Sequence, residues 1–210
     1  PTKQVMRSIL PEHFILFKPR DIVSGDFYWI QKVNQHILVA AADCTGHGVP
    51  GAFMSMLGVS FLNEIVRKEH IVTANQVLDS LRYQVKTTLD QTGKSCEAKD
   101  GMDIAFCVID TKTNRLQFAG AHNPLYIIRH KDKKAVKDEQ GIKTRIKTIE
   151  KNDFVLTQIS ANSQPIGVFV KEKPFSNNEI QLLPGDKLYM FSDGYADQLG
   201  GIANRKFLTQ

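Results

Sequence analysis

Cysteine is scarce in this chain. Cys44, Cys96 and Cys107 are the only three among 210 residues, odd in number and without a Cys-x-x-Cys spacing. That excludes a disulfide framework and a zinc knuckle as the basis of the fold, and it favours a reducing compartment. No apolar stretch is read as approaching the roughly 18 residues that a bilayer span needs, and the first residues lack the charged-then-apolar layout of a secretory signal. Internal repeats and low-complexity tracts are absent too. These absences predict a cytoplasmic chain without direct membrane contact, built as one globular domain with at most a small appendage.

An excess of acid is also missing, since the net charge is +5. The surplus is local. Residues 129–151 carry nine Lys or Arg against four Asp or Glu, a difference equal to the charge of the whole chain, so the remainder is neutral. A nucleic-acid-binding surface would spread basic residues along a face and interleave aromatics, and neither is seen. Residues 131–151 admit two readings: a solvated hairpin, or a flap that steers an acidic phosphoprotein by its charge.

Hydrophobic patterning predicts strands at FILFK (14–18), DFYWIQKV (26–33) and HILVAAAD (36–43), the last two forming a hairpin across Asn34-Gln35. The period then changes to helical. Residues 50–68 place Phe53, Leu57, Phe61 and Ile65 four apart, widened by Met54, Leu62 and Val66, which predicts a largely buried helix. A second helix is expected from Thr73, with Thr73 and Gln76 forming a capping box and Val77, Leu78, Leu81, Val85 and Leu89 as its apolar face. Strands return at 102–110, 115–121, 124–130, 154–159, 179–183 and 187–193. Antiparallel strands with two helices in one block make the expected class α+β, with helices packed on stacked sheets.

Three aspartates share a local grammar. Asp26 follows Ser24-Gly25 and opens a strand; Asp43 closes an apolar strand before Cys44-Thr45-Gly46; Asp193 ends KLYMFSD and precedes Gly194. Such residues are turn formers or ligands. Carboxylates gathered at one sheet rim repel each other unless a proton or a cation intervenes. Hard oxygen donors suit Mg²⁺ or Mn²⁺ rather than zinc.

The motifs KPRDIVSGDFYW, AADCTGHGVPGAFMSMLG, GMDIAF, FAGAHNPLYIIR, QPIG and LLPGDKLYMFSDG occur in this order from about residue 8 to the C-terminus. In this order they resemble the SpoIIE-type branch of the metal-dependent serine/threonine protein phosphatases, the PPM or type 2C group. The resemblance implies an αββα sandwich of two stacked, mainly antiparallel sheets flanked by helices, with residues 1–13 as the end of a linker and 14–210 as the phosphatase domain. It implies two Mn²⁺ or Mg²⁺ ions at the rim. Asp43 would bridge them, the backbone carbonyl of Cys44 would bind one, Asp193 the other, and Asp26 would act directly or through water. Paired ions of this kind acidify water and offset charge in phosphoryl transfer, so no protein nucleophile is required.

His47 has two readings, proton donor to the leaving serine oxygen or a hydrogen bond that holds its loop. It lies four residues after Asp43, whereas the eukaryotic branch places its histidine two after the bridging aspartate. Asp103 matches the Met-Asp motif and is read as a strand cap or a tie to the 43–48 loop. His122 falls near an acidic position that relatives link to a third ion, for which a histidine is a poor ligand. The family pattern closes on a further acidic motif, while only Asp197 follows Asp193 here. The expectation is a missing last ligand and weak binding of the second ion. By the same resemblance the substrate is phosphoserine on a STAS-type anti-sigma-factor antagonist, an upstream sensor domain belongs to the parent chain, and a homodimer is possible. The alternative is a catalytically silent relative that binds a phosphoprotein.

Overall fold

A computed structural model describes residues 3–19, 21–67, 72–93, 100–139, 146–194, 196–200 and 205–206. The elements run α1 (Lys3–Ile9), β1 (Phe27–Val33), β2 (His36–Cys44), α2 (Gly48–Arg67), α3 (Ala74–Thr88), β3 (Met102–Asp110), β4 (Arg115–Ala121), β5 (Leu125–His130), β6 (Ile146–Lys151), β7 (Phe154–Ile159), β8 (Asn178–Gln181), β9 (Lys187–Tyr189), β10 (Leu199–Gly200) and β11 (Arg205–Lys206). Two antiparallel sheets result, one ordered β1-β2-β3-β4-β8 and the other β6-β7-β5-β9, with a small β10-β11 ribbon.

The five-stranded sheet is apolar on both faces because it is covered on both. Along β3, Ile104, Phe106 and Val108 point to α2 and α3, where they meet Trp29, Leu38, Leu62, Leu78 and Leu81. Ala105 and Cys107 alternate to the other side and pack with Leu116, Phe118, Leu125, Ile127 and Ile159 between the sheets. The fold is thus the expected α+β sandwich, with its described helical layer, α2 and α3, on the five-stranded sheet. Met6 of α1 is buried against Ile30 and Ile37. Far from the β5 end at Leu125, the buried Arg129 side chain binds both carboxylate oxygens of Asp186 and the carbonyls of Lys134 and Gln181.

Several local expectations are corrected. FILFK is no strand: Phe14 and Leu16 are exposed, and Phe14 and Phe17 rest against Tyr189 and Tyr28 instead of joining a ladder. The helix begins at Gly48, and its buried face is Gly51, Met54, Gly58, Leu62, Ile65 and Val66, while Phe53 is 63% exposed. Glycine decides this. A Cβ on Gly58 would lie 3.0 Å from the Phe27 ring and from the Met102 methyl, so the glycine-lined side is the one able to sit close on the sheet. By length and composition α2 is long and apolar enough to cross a membrane, contrary to the reading above, although a core helix passes the same test. Thr73 is the N-cap of α3 but makes no side-chain cap bond; the Ala74 N–H donates to Gln117 Oε1 at 3.1 Å, so β4 caps the helix instead. Residues Ile146–Lys151, inside the basic segment, form an edge strand paired with β7. Strand β9 ends at Tyr189, which leaves Asp193 four residues beyond the sheet. The β10-β11 ribbon was not anticipated.

Candidate metal centre

Strand register gathers the polar residues. Phe27 pairs with Ala42, Asp43 with Asp103, and Ile104 with Ala121. One step beyond the β1 and β4 ends, Asp26 therefore stands opposite Asp43 and His122 opposite Asp103. Asp26, Asp43, Asp103 and His122 form one transverse row across four neighbouring strand ends. Side chains alternate along strands. Ala42, Cys44, Ile104 and Ala121 face the helices, so the row faces the gap between the sheets.

Contacts bear this out. The Asp43 carboxyl hydrogen-bonds with the carboxyls of Asp26 and Asp193, and the Ser192 hydroxyl donates to Asp26 Oδ2 at 2.7 Å. Ser192 and Asp193 arrive from the four-stranded sheet, so the cluster joins the two layers at one rim. Burial, then Asp26, then Asp193 push the Asp43 carboxyl up from 3.8 to about 8. Burial, with Asp43 and Asp26 adding to it, pushes the Cys44 thiol up to about 12, so this thiol stays protonated.

The loop after Asp43 is built for close approach. Gly46 and Gly48 have φ of 86° and 61°, left-handed values that glycine adopts without strain. A Cβ on Gly25 would sit 2.9 Å from the Gly46 carbonyl oxygen and 3.2 Å from that of Cys44; one on Gly51 would sit 2.6 Å from Gly46 O. The loop is tied to the head of β3, with Thr45 N–H donating to Gly101 O at 2.9 Å and Gly101 N–H to Thr45 Oγ1 at 3.2 Å.

Three carboxylates with backbone carbonyls beside them make an all-oxygen donor set, which fits hard divalent cations. Among the described residues no group of three or more His, Cys, Asp or Glu side chains stands ready-arranged as a ligand cage. Carboxyls this close favour a proton on Asp43, and a cation that binds there displaces it. The sign follows from the raised Asp43 value. Between 3.8 and about 8 the folded chain binds more protons than the unfolded one. Without metal, the contribution of Asp43 to stability is fullest below pH 4 and declines as the pH rises toward 8. Thermal melts of the metal-free chain are expected to show this decline, and Mn²⁺ is expected to raise Tm strongly at pH 8 and little at pH 5. Equal Mn²⁺ shifts at both values would refute proton displacement.

Asp26, Asp43 and Asp193 are thus brought together. His47 is 73% exposed and faces Asp21, Nδ1 to Oδ2 3.7 Å. The reading of residues missed Ser192, Asp21 and the Asp103–His122 pair, in which Nδ1 lies 2.8 Å from Oδ1. Asp197 donates its backbone N–H to the Asp193 carbonyl at 2.9 Å.

Solved structures share the fold. The SiaA-PP2C domain of Pseudomonas aeruginosa is similar over 98% of this chain and 74% of its own, at 27% identity and a TM-score of 0.71. The PP2C phosphatase domain with a regulatory fragment of SpoIIE from Bacillus subtilis is similar over 85% and 44%, at 19% identity and a TM-score of 0.59. RsbX in complex with magnesium is similar over 86% and 71%, at 12% identity and a TM-score of 0.56. The last two likenesses establish the fold alone. No curated protein sequence matches. The profile of the Stage II sporulation protein E family matches residues 34–208, most of the chain, and the sheet rim lies within that match apart from Asp26; this chain belongs to the SpoIIE family of PP2C-fold phosphatase domains.

Proposed function

We propose that this chain is a Mn²⁺- or Mg²⁺-dependent protein serine/threonine phosphatase domain. The observation that carries the reading is the Asp26-Asp43-Asp193 cluster, whose mutual repulsion a cation relieves. Asp43 would stand between two ions, with the Cys44 carbonyl beside one, Asp193 at the other, and Asp26 direct or through water. When bound, divalent ions supply Lewis acidity: they polarise phosphoryl oxygens and acidify water near neutral pH.

The protein's own part is placement. Ser192 fixes the Asp26 carboxylate, and Gly25 and Gly51 let the 44–46 loop pack closely beside it. The apolar floor of β2 raises the cost of leaving the carboxylates unpaired, which sharpens the site's preference for cations.

The substrate is proposed to be phosphoserine on a STAS-domain protein of a cytoplasmic partner-switching pathway. Support comes from a solved neighbour described as the RsbU and RsbW domains of Rv1364c from Mycobacterium tuberculosis, 17% identical with a TM-score of 0.58 over 86% of this chain and 42% of its own. Residues 1–13 are proposed as the end of a linker from an upstream sensor domain, with α1 docked through Met6. The test is phosphate release from a phosphorylated STAS-domain protein in Mn²⁺. Turnover at least about tenfold faster than on a phosphoserine peptide of the same local sequence supports the substrate. Equal rates would remove the STAS assignment, and tight binding without release would favour the silent relative.

A further inference from the structure

Two histidines flank the carboxylates, and they are held differently. The His47 ring is 73% exposed and lies 3.7 Å from Asp21, on a loop between two left-handed glycines. The His122 ring is 40% exposed, and its Nδ1 lies 2.8 Å from Asp103 Oδ1. A carboxylate only accepts, so Nδ1 carries the hydrogen and donates it. Nε2 is then the ring nitrogen that Asp103 does not engage.

The backbone fixes this ring. His122 ends the row begun by Asp26 and Asp43, and its φ of 55° turns the chain out of β4 at that point. His122 N–H donates to Asn162 O at 2.9 Å, and Asn162 N–H donates back to Gly120 O at 2.9 Å. A Cβ on Gly120 would lie 2.6 Å from Asn123 O, so residue 120 must be glycine for the turn to close. A non-glycine residue in a left-handed conformation carries a cost, and such costs collect at functional sites.

We propose that His122 is a catalytic residue that protonates the leaving serine oxygen, and that Asp103 is its positioning residue. This rests on the phosphatase reading above. Water adds to phosphorus, the bond from phosphorus to the serine oxygen breaks with its electron pair going to oxygen, and the Nε2 proton of the His122 imidazolium transfers to that oxygen. Serine alcohol and inorganic phosphate leave, the attacking water releases its proton to solvent, and His122 is reprotonated from solvent. Asp103 supplies the counter-charge to the imidazolium and holds the ring in line.

Leaving-group dependence tests the role. The unmodified chain, His122→Asn, Asp103→Asn and His47→Ala are each assayed in Mn²⁺ on a phosphoserine peptide, phenyl phosphate and dinitrophenyl phosphate, whose phenolate departs without a proton. Asparagine is chosen at 122 because it tolerates the left-handed backbone. For His122→Asn the expected kcat falls about 100-fold on the first two esters and stays within about twofold on the third. Asp103→Asn is expected to lose about tenfold in the same pattern. Retained turnover of dinitrophenyl phosphate also reports an intact fold. Equal losses on all three esters, no loss, or the selective loss appearing in His47→Ala would overturn the proposal. No turnover of any ester by the unmodified chain would instead sink the phosphatase reading, and this role with it.

Discussion

Asp43→Asn is expected to make the metal-free chain more stable at pH 8 while abolishing its hydrolysis of phosphate esters. The two effects have opposite signs because one carboxylate serves both. In the folded chain Asp43 is half-buried beside Asp26 and Asp193, and burial first, then these two carboxylates, push its carboxyl up to about 8. The unfolded chain ionises the same group near 3.8, so at neutral pH and above the native state is disfavoured by it. Asparagine removes that linkage and keeps the shape. The same replacement takes away the charge proposed to stand between two ions. Removing one preorganised group that stabilises transition-state charge costs about 10²–10³ in kcat, and a residue shared by both ions is expected at or above that upper end. Metal-free melting at pH 8 and initial rates in Mn²⁺ check both halves. A variant that is less stable and still active would show Asp43 to be scaffold.

Arg129→Met is expected to do the reverse. The guanidinium and the Asp186 carboxylate are 5% and 3% exposed. Arg129 Nε and Nη2 reach the two Asp186 oxygens at 2.9 and 2.5 Å, while Nη1 and Nη2 bind Lys134 O and Gln181 O. Asp186 Oδ2 also accepts the Leu183 N–H at 2.8 Å. One group thus fastens β5 of one sheet to β8 of the other. Removing the cation strands a buried carboxylate and two carbonyls, and breaking such a pair costs about 3–5 kcal/mol. Urea denaturation is expected to show a loss of this size, with activity per folded molecule unchanged. Arg129→Met combined with Asp186→Leu should recover most of it, because the cost lies in the unpaired charge. A single variant within about 0.5 kcal/mol of the parent would show the pair to be dispensable.

Legibility followed the range of the interactions. The β1–β2 hairpin turns at Asn34-Gln35, so its two-residue connection alone places Asp26 opposite Asp43, and half of the cluster was readable in eighteen consecutive residues. Asp103 and His122 join the row only through the β2–β3 and β3–β4 registers, and the first of these links residues sixty apart, so periodicity carries no trace of it. Asp193 lies beside Asp43 although the strand under it ends at Tyr189; the motif order singled it out, and patterning did not. FILFK is a short apolar run of strand length, yet a strand exists only with a ladder partner, which no local pattern reveals. On α2 the apolar stripe through Phe53 outweighed the glycine side, because hydrophobicity ranks phenylalanine above glycine whereas close packing on Phe27 demands the smaller residue.

Whether divalent ions at Asp43 drive the chemistry is decided by hydrolysis of phenyl phosphate at pH 8, measured as phosphate release with Mn²⁺ and again after EDTA. Metal dependence requires turnover in Mn²⁺ that EDTA abolishes and that Asp43→Asn lacks under both conditions. Activity that survives both EDTA and Asp43→Asn would contradict it.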